Sequence, residues 1–318
     1  MLRYTIRRIL IAIPMLLVIT IIIFSLAKLL PGDAVSAIMS GEGDINAESM
    51  RQMRENLGLN DTAFVQYIKW LFRLLTGDLG TSHITFTKVS EMIGVRLGPT
   101  ILLMGTSLVV SILIGVTLGI ISAMKQYSIL DNILTVFAFL GRSVPVFFVG
   151  MFLIYYLALI NPVFPTNGMV SIGANGGFKD VLWHMFLPAL SLSVLRIAEF
   201  LRYSRASMLE VLNSDYVWTA RSKGIKERNV IVKHALRNAL IPIVTLIGLN
   251  IPVLFSGAMI IEQVFQWPGL GSAFNNAITQ RDYPLLMGLC FISSIIVLLS
   301  NLVTDLAYAF VDPRIRYQ

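Results

Sequence analysis

Between Thr100 and Met124 the chain carries no charged side chain. A helix needs about 20 apolar residues to cross a bilayer core of about 30 Å, so this run is long enough to span one. Five other stretches pass the same test, and the expected spans are about 9–30, 100–124, 132–160, 181–204, 239–261 and 284–310. Barrel strands would alternate over about ten residues, whereas these runs are continuously apolar. Only 14% of the 318 residues are charged, against about 25% in soluble domains. That excludes an ordinary soluble enzyme, a disordered tail and a disulfide-rich secreted module. The single Cys290 cannot bridge within the chain or build a zinc site alone. The expected fold is an all-α polytopic membrane protein of six transmembrane helices.

Charge sets the sidedness. Arg3, Arg7 and Arg8 precede the first span with no acid among them, and nine bases face four acids from Arg196 to Arg237. The loops 161–180 and 262–282 carry only Lys179 and Arg281 as bases. Basic loops stay on the cytoplasmic side, so both termini and the 205–238 loop are expected there. The net charge of +7 then records membrane topology and not a nucleic-acid partner. The first apolar run exceeds the 7–15 residues of a signal-peptide core, and Lys28-Leu29-Leu30-Pro31 is a poor cleavage site. An uncleaved span is expected.

Residues 31–98 form an extracytoplasmic segment. Ala47–Asn56 and Thr62–Leu75 read as helices, with Asp61 as N-cap of the second. Phe64, Ile68, Leu71, Phe72 and Leu75 recur at helical spacing and give it one apolar face. The reading is a small helical cap packed on the outer mouth. Gly115-x-x-x-Gly119 in the second span allows close helix approach. Pro14, Pro145, Pro188, Pro242 and Pro252 fall within spans, where they are either tolerated by neighbours or mark kinks near a path.

No His-Glu-x-x-His pair, Gly-x-Ser-x-Gly elbow or phosphate-binding Gly-x-x-x-x-Gly-Lys-Ser/Thr loop occurs. His83, His184 and His234 fall in an outer loop, a span and an inner loop, so they do not form one metal site. The chain is therefore expected to be no enzyme, with no catalytic residues, metal ligands or cofactor of its own. If transport is driven by ATP, another polypeptide binds the nucleotide. Ionisable residues inside spans are the default functional suspects. Arg142 is the candidate for a translocation path. Arg196, Glu199 and Arg202 share a face at the inner end of the fourth span, where they suit an interfacial ion-pair set.

The inner loop is the most informative stretch. It runs Arg205-Ala206-Ser207-Met208-Leu209-Glu210, then Asp215-Tyr216-Val217-Trp218-Thr219-Ala220-Arg221-Ser222-Lys223-Gly224, and reaches His234-Ala235-Leu236-Arg237-Asn238-Ala239-Leu240-Ile241-Pro242. Tyr216–Lys223 reads as a short helix that Gly224 ends in the left-handed conformation. A helix across the cytoplasmic face suits a docking element for a partner or a basic, lipid-facing loop.

These residues resemble the permease subunits of ATP-binding-cassette importers, in particular the peptide/nickel subgroup. The subgroup string Asp-Tyr-x-x-x-Ala-Arg-x-Lys-Gly, followed by His-Ala-x-Arg-Asn-Ala-x-x-Pro, is matched throughout 215–242, with Ala220 and Gly224 four apart. Trp218 and Thr219 replace the Glu-Ala that begins the broader family's motif. The likeness continues in Pro31-Gly32-Asp33, Gly77-Asp78-Leu79-Gly80-Thr81-Ser82, Trp267-Pro268-Gly269-Leu270-Gly271, Arg281-Asp282-Tyr283-Pro284 and Asp312-Pro313-Arg314-Ile315-Arg316. Two departures stand out: Ala34 replaces a usual proline, and Arg142 falls where a small or apolar residue is expected.

The resemblance implies the type I importer fold in a prokaryotic inner or plasma membrane. It also implies a second permease subunit, two ATPases carrying ATP and Mg, and an extracytoplasmic binding protein. The coupling residues it implies are Glu210, Asp215, Tyr216, Trp218, Ala220, Arg221, Lys223 and Gly224. The solute it implies is a di- or oligopeptide, with nickel or an oligosaccharide as alternatives. An autonomous secondary transporter or channel is the alternative from another class. That class calls for inverted repeats and mid-membrane ionisable residues, and only Arg142 qualifies.

Overall fold

The computed structural model describes residues 2–29, 47–56, 60–171, 173, 176–256 and 259–311. Pro31-Gly32-Asp33, the 312–316 motif and the Arg142 side chain lie outside the described residues. Among the described residues the regular structure is helical. In chain order these are α1 (Leu2–Leu29), α2 (Ala47–Asn56), α3 (Ala63–Leu75), α4 (Val89–Met124), α5 (Ile129–Ser143) and α6 (Val146–Ile154, continued by a π-helical turn Tyr155–Ile160). Next come α7 (Phe178–Leu212), α8 (Asp215–Ser222), α9 (Glu227–Asn229), a π-helical turn Val230–Ala235 and α10 (Leu236–Ala239). The last four are α11 (Ile241–Ser256), α12 (Met259–Val264), α13 (Leu270–Thr279) and α14 (Tyr283–Val311).

Four helices are long and apolar enough to cross a membrane: Thr5–Leu29, Val89–Met124, Phe178–Leu212 and Tyr283–Asp305. Two bent pairs raise the number to six if each is one span. The pair Ile129–Gly141 and Val146–Ile160, which covers the expected 132–160 span, is broken at Pro145, and its halves meet at 103°. The break has a local cause. A proline disfavours the helical conformation in the residue before it, and Val144, ahead of Pro145, is extended at φ −88°, ψ 128°.

The chain divides into two compact units, Met1–Thr100 with Pro268–Leu302 and Ile101–Trp267 with Val303–Gln318. The first is centred on Val89, Ile93, Leu270, Ala273 and Leu289. Its loop 77–88 is fixed to the start of α14 through Asp282, which is 2% exposed. Asp282 accepts hydrogen bonds from the Ser82 hydroxyl at 2.5 Å and the His83 N–H at 3.3 Å. Two motifs 200 residues apart in the chain thereby meet. Burial pushes the His83 imidazole below its ordinary pKa, partly offset by the Asp282 carboxylate.

Also in the first unit, α3 packs on α1. The N-cap of α3 is Thr62 and not Asp61, whose carboxylate instead pairs with Lys69 at 2.6 Å. The packed face differs from the expected one as well. Tyr67, Trp70 and Leu71 are partly covered and Leu74 is buried, while Phe64, Ile68, Phe72 and Leu75 are exposed.

The second unit has two cores. The larger joins α4, α6, α7, α11 and α12 through residues such as Met104, Leu192, Phe200, Ile261, Phe265 and Trp267. Gly115 and Gly119 let α4 press against α7. A Cβ at Gly115 would lie 2.7 Å from the Phe200 Cβ, and one at Gly119 would lie 2.6 Å from the Leu201 carbonyl oxygen. The smaller core gathers Ala123, Met208, Val217, Ala220, Val230, Ala235 and Ala239 beneath α8.

Candidate functional site

Helix α8 is held from behind by that smaller core. Val217 and Ala220 point into it, and the small Ala220 side chain suits a position enclosed by other buried residues. Its C-terminus closes as a Schellman motif: the Gly224 N–H donates to the Arg221 carbonyl at 2.9 Å and the Ile225 N–H to the Ala220 carbonyl at 3.4 Å. Gly224 adopts φ +71°, the left-handed conformation that the motif needs and that L side chains resist.

The opposite face is open. Tyr216 and Trp218 are exposed, as are Asp215, Lys223 and, at the end of α7, Glu210. The Tyr216 hydroxyl accepts from Asn238 Nδ2 at 3.0 Å, which fixes its ring over α10. Arg221, one of the expected coupling residues, is turned back onto its own loop. It donates through Nη2 and Nε to the two Glu227 oxygens at 2.8 and 3.3 Å, clipping α8 to α9 across the Gly224 turn. The bonded carboxylate holds its guanidinium above the ordinary pKa. The Arg221 guanidinium also lies 5.7 Å from the Trp218 ring centroid. Lys223 and Lys226 remain exposed.

A second arrangement, missed from the sequence, fixes the approach to this segment. Asp131 is 2% exposed and receives the Arg205 fork, with Nε to Oδ1 at 2.7 Å and Nη2 to Oδ2 at 2.8 Å. The Ser122 hydroxyl and the Tyr127 N–H donate to the same carboxylate. The ends of α4 and α5 are thus tied to α7 where the inner loop begins. One local signal was available: Ser128 caps α5 and accepts from the Asp131 N–H three residues on. The partner 74 residues away left no such mark.

A further feature lies between α5 and α7. A cavity of about 580 Å³ is lined by Phe139 and Ser143 from α5 and by Glu199, Leu201, Arg202 and Arg205 from α7. Ser143 ends α5 at the proline break. Arg196, expected to face the interface with Glu199 and Arg202, is 7% exposed and donates to Asn250 Oδ1 at 2.8 Å. Arg142 lies on α5, next to Ser143. Among the described residues no three His, Cys, Asp or Glu side chains converge on a common point. Among the described residues the site combines an exposed helix, α8, carried on a buried core, with a mostly apolar cavity that Glu199 and Arg202 help to line.

Comparison with known proteins covers the whole chain. A sequence model of the family described as binding-protein-dependent transport system inner membrane component matches residues 115–317, and the model for the N-terminal part of such components matches residues 1–102. The chain is 43% identical over 315 residues to the oligopeptide transport system permease protein AppB of Bacillus subtilis, covering 99% of each. It is 36% identical over 339 residues to the dipeptide transport system permease protein DppB of Escherichia coli K12, covering 100% of each. It is 37% identical over 318 residues to the glutathione transport system permease protein GsiC of Salmonella paratyphi A, again covering 100% of each.

Proposed function

The chain belongs to the family of binding-protein-dependent transport system inner membrane components, and from that premise we propose that it is one permease subunit of an ATP-driven importer of di- or oligopeptides. The observation that carries this reading is the Asp215–Ser222 helix, anchored by Val217 and Ala220 and presenting Tyr216 and Trp218 outward. Aromatic anchors of this kind dominate interface energetics. Two cytoplasmic ATPases grip this helix and its counterpart on a second, related permease, and an extracytoplasmic binding protein delivers the peptide. In this reading each bent pair is one span, giving six, with both termini cytoplasmic in a prokaryotic inner or plasma membrane. The cavity bearing Glu199 and Arg202 belongs to the translocation path, where a carboxylate and a guanidinium suit the charged ends of a peptide. ATP drives import by favouring one of two arrangements through differential contacts.

The test uses the assembled transporter in proteoliposomes. Ala220→Asp places a charge in the core beneath α8, and Gly224→Pro demands φ near −65° where the backbone needs +71°. Both variants should assemble and hydrolyse ATP but lose peptide-stimulated hydrolysis and uptake. Gly224→Asn, which tolerates the left-handed region, should retain most of both. Full peptide-stimulated uptake in a folded Gly224→Pro transporter would defeat the reading.

A further inference from the structure

Helix α3 divides into three sectors at 100° per residue. Gln66, Tyr67, Trp70, Leu71 and Leu74 form the covered side. Phe64, Ile68, Phe72 and Leu75 form a second, exposed by 73%, 45%, 70% and 75%. Lys69 and Arg73, both exposed, mark the third. A soluble helix rarely shows so much apolar surface to water.

Its position relative to α1 accounts for that surface. The Tyr67 hydroxyl lies 3.0 Å from the Thr20 hydroxyl, and the Phe24 ring lies 5.5 Å from the Tyr67 ring and 6.0 Å from the Trp70 ring. Thr20 is nine residues before Leu29, the last residue of α1, which places it about 13 Å below the helix end at a 1.5 Å rise per residue. A tyrosine ring reaches only part of that distance, so the axis of α3 lies below the end of α1. Thr20, Ile23, Phe24 and Ala27 are the stripe of α1 that is covered here. The neighbouring Ile21, Ile22 and Leu26 are exposed, as a lipid-facing surface requires.

We infer that α3 lies within the lipid leaflet at the Leu29 end of α1. Phe64, Ile68, Phe72 and Leu75 contact acyl chains and continue the lipid face of α1. Arg73 extends toward lipid phosphates, as basic side chains do near an interface, Lys69 keeps its ion pair with Asp61 on the polar side, and Tyr67 and Trp70 sit at the depth of an aromatic belt. The segment that the sequence presents as a cap outside the membrane is then an interfacial anchor inside it. This inference rests on α1 being a membrane span and is independent of the coupling role of α8.

Spin labels on single cysteines at Phe64, Phe72 and Lys69 test it, in a Cys290→Ala background of the assembled transporter reconstituted into phosphatidylethanolamine/phosphatidylglycerol vesicles. A label at Ile22 reports α1 independently. The expected result is fast collision with oxygen and slow collision with a water-soluble nickel chelate at positions 64 and 72, with the ratio reversed at 69. Fast nickel collision at both 64 and 72 means that water covers the face, and slow collision with both reagents means that protein covers it. Either result overturns the proposal while Ile22 still reports lipid, and nickel access at Ile22 removes its premise.

Discussion

Asp282 and Asp131, two of the buried carboxylates among the described residues, each join distant parts of the chain and are satisfied in different ways. Asp282 in the first unit and Asp131 in the second are each 2% exposed, and each accepts from a serine hydroxyl and a backbone N–H. Asp131 alone has a guanidinium, the bidentate Arg205. A charge-assisted fork is strong while intact, and a half-buried cation left behind is costly. Neutral donors leave no stranded charge when the acceptor is weakened. The first joint is therefore a packing device with tolerance, and the second is a clamp that fails outright when either partner is lost.

Asp131→Asn should destabilise the detergent-solubilised chain by about 3 kcal/mol, the low end for breaking a buried pair because Arg205 is partly wet. Removing both partners as Asp131→Leu with Arg205→Leu should recover much of that loss, because no charge is stranded. Residual folded fraction after graded heating reads both variants. In the same assay Asp282→Asn should cost about 1 kcal/mol, since an amide oxygen still accepts from the Ser82 hydroxyl. Equal losses at the two positions would break the contrast between them.

The smallest effect should come from pH. Burial lowers the His83 pKa below its ordinary 6.5, so the unfolded chain binds the proton more readily than the folded one. The contribution of this neutral histidine is complete above pH 6.5 and is lost as pH falls through the lowered folded value. His83→Gln should flatten the acid limb of the melting profile. An unchanged slope would remove His83 from the joint.

The sequence made the features that depend on local chemistry readable. Continuous apolar runs located the four helices that are long and apolar enough to cross a membrane, and Gly224 marked the end of α8 because glycine is the usual residue for the left-handed turn that closes a helix. Three features were hidden, each for a different reason. Pro14 and Pro188 sit inside helices that continue past them, while Pro145 ends one; the sequence offers the same residue in every case. The pairing of Asp131 with Arg205 depends on how α4, α5 and α7 meet, which no spacing encodes. For α3, periodicity identified apolar positions correctly as a set but assigned them to protein. The pattern of a face buried against lipid and one buried against protein is the same in one dimension.

The bend at Pro145 has a consequence for how the protein is made. Even a straight helix over 132–160 would leave the Gly141 carbonyl without its intrahelical donor, because Pro145 has no N–H. The two halves meet at 103° there, and the first N–H groups of α6 have no partner in a preceding turn. The groups that then crowd the bend come later in the chain: Ala198 against Gly141, and Ser191 with Phe265 against Gly150. Pro145 thus makes the break, while the packing that sets its angle comes from α7 and the 259–267 segment. A chain truncated before residue 178 should therefore leave the angle at Pro145 variable, as distances between spin labels on α5 and α6 would read.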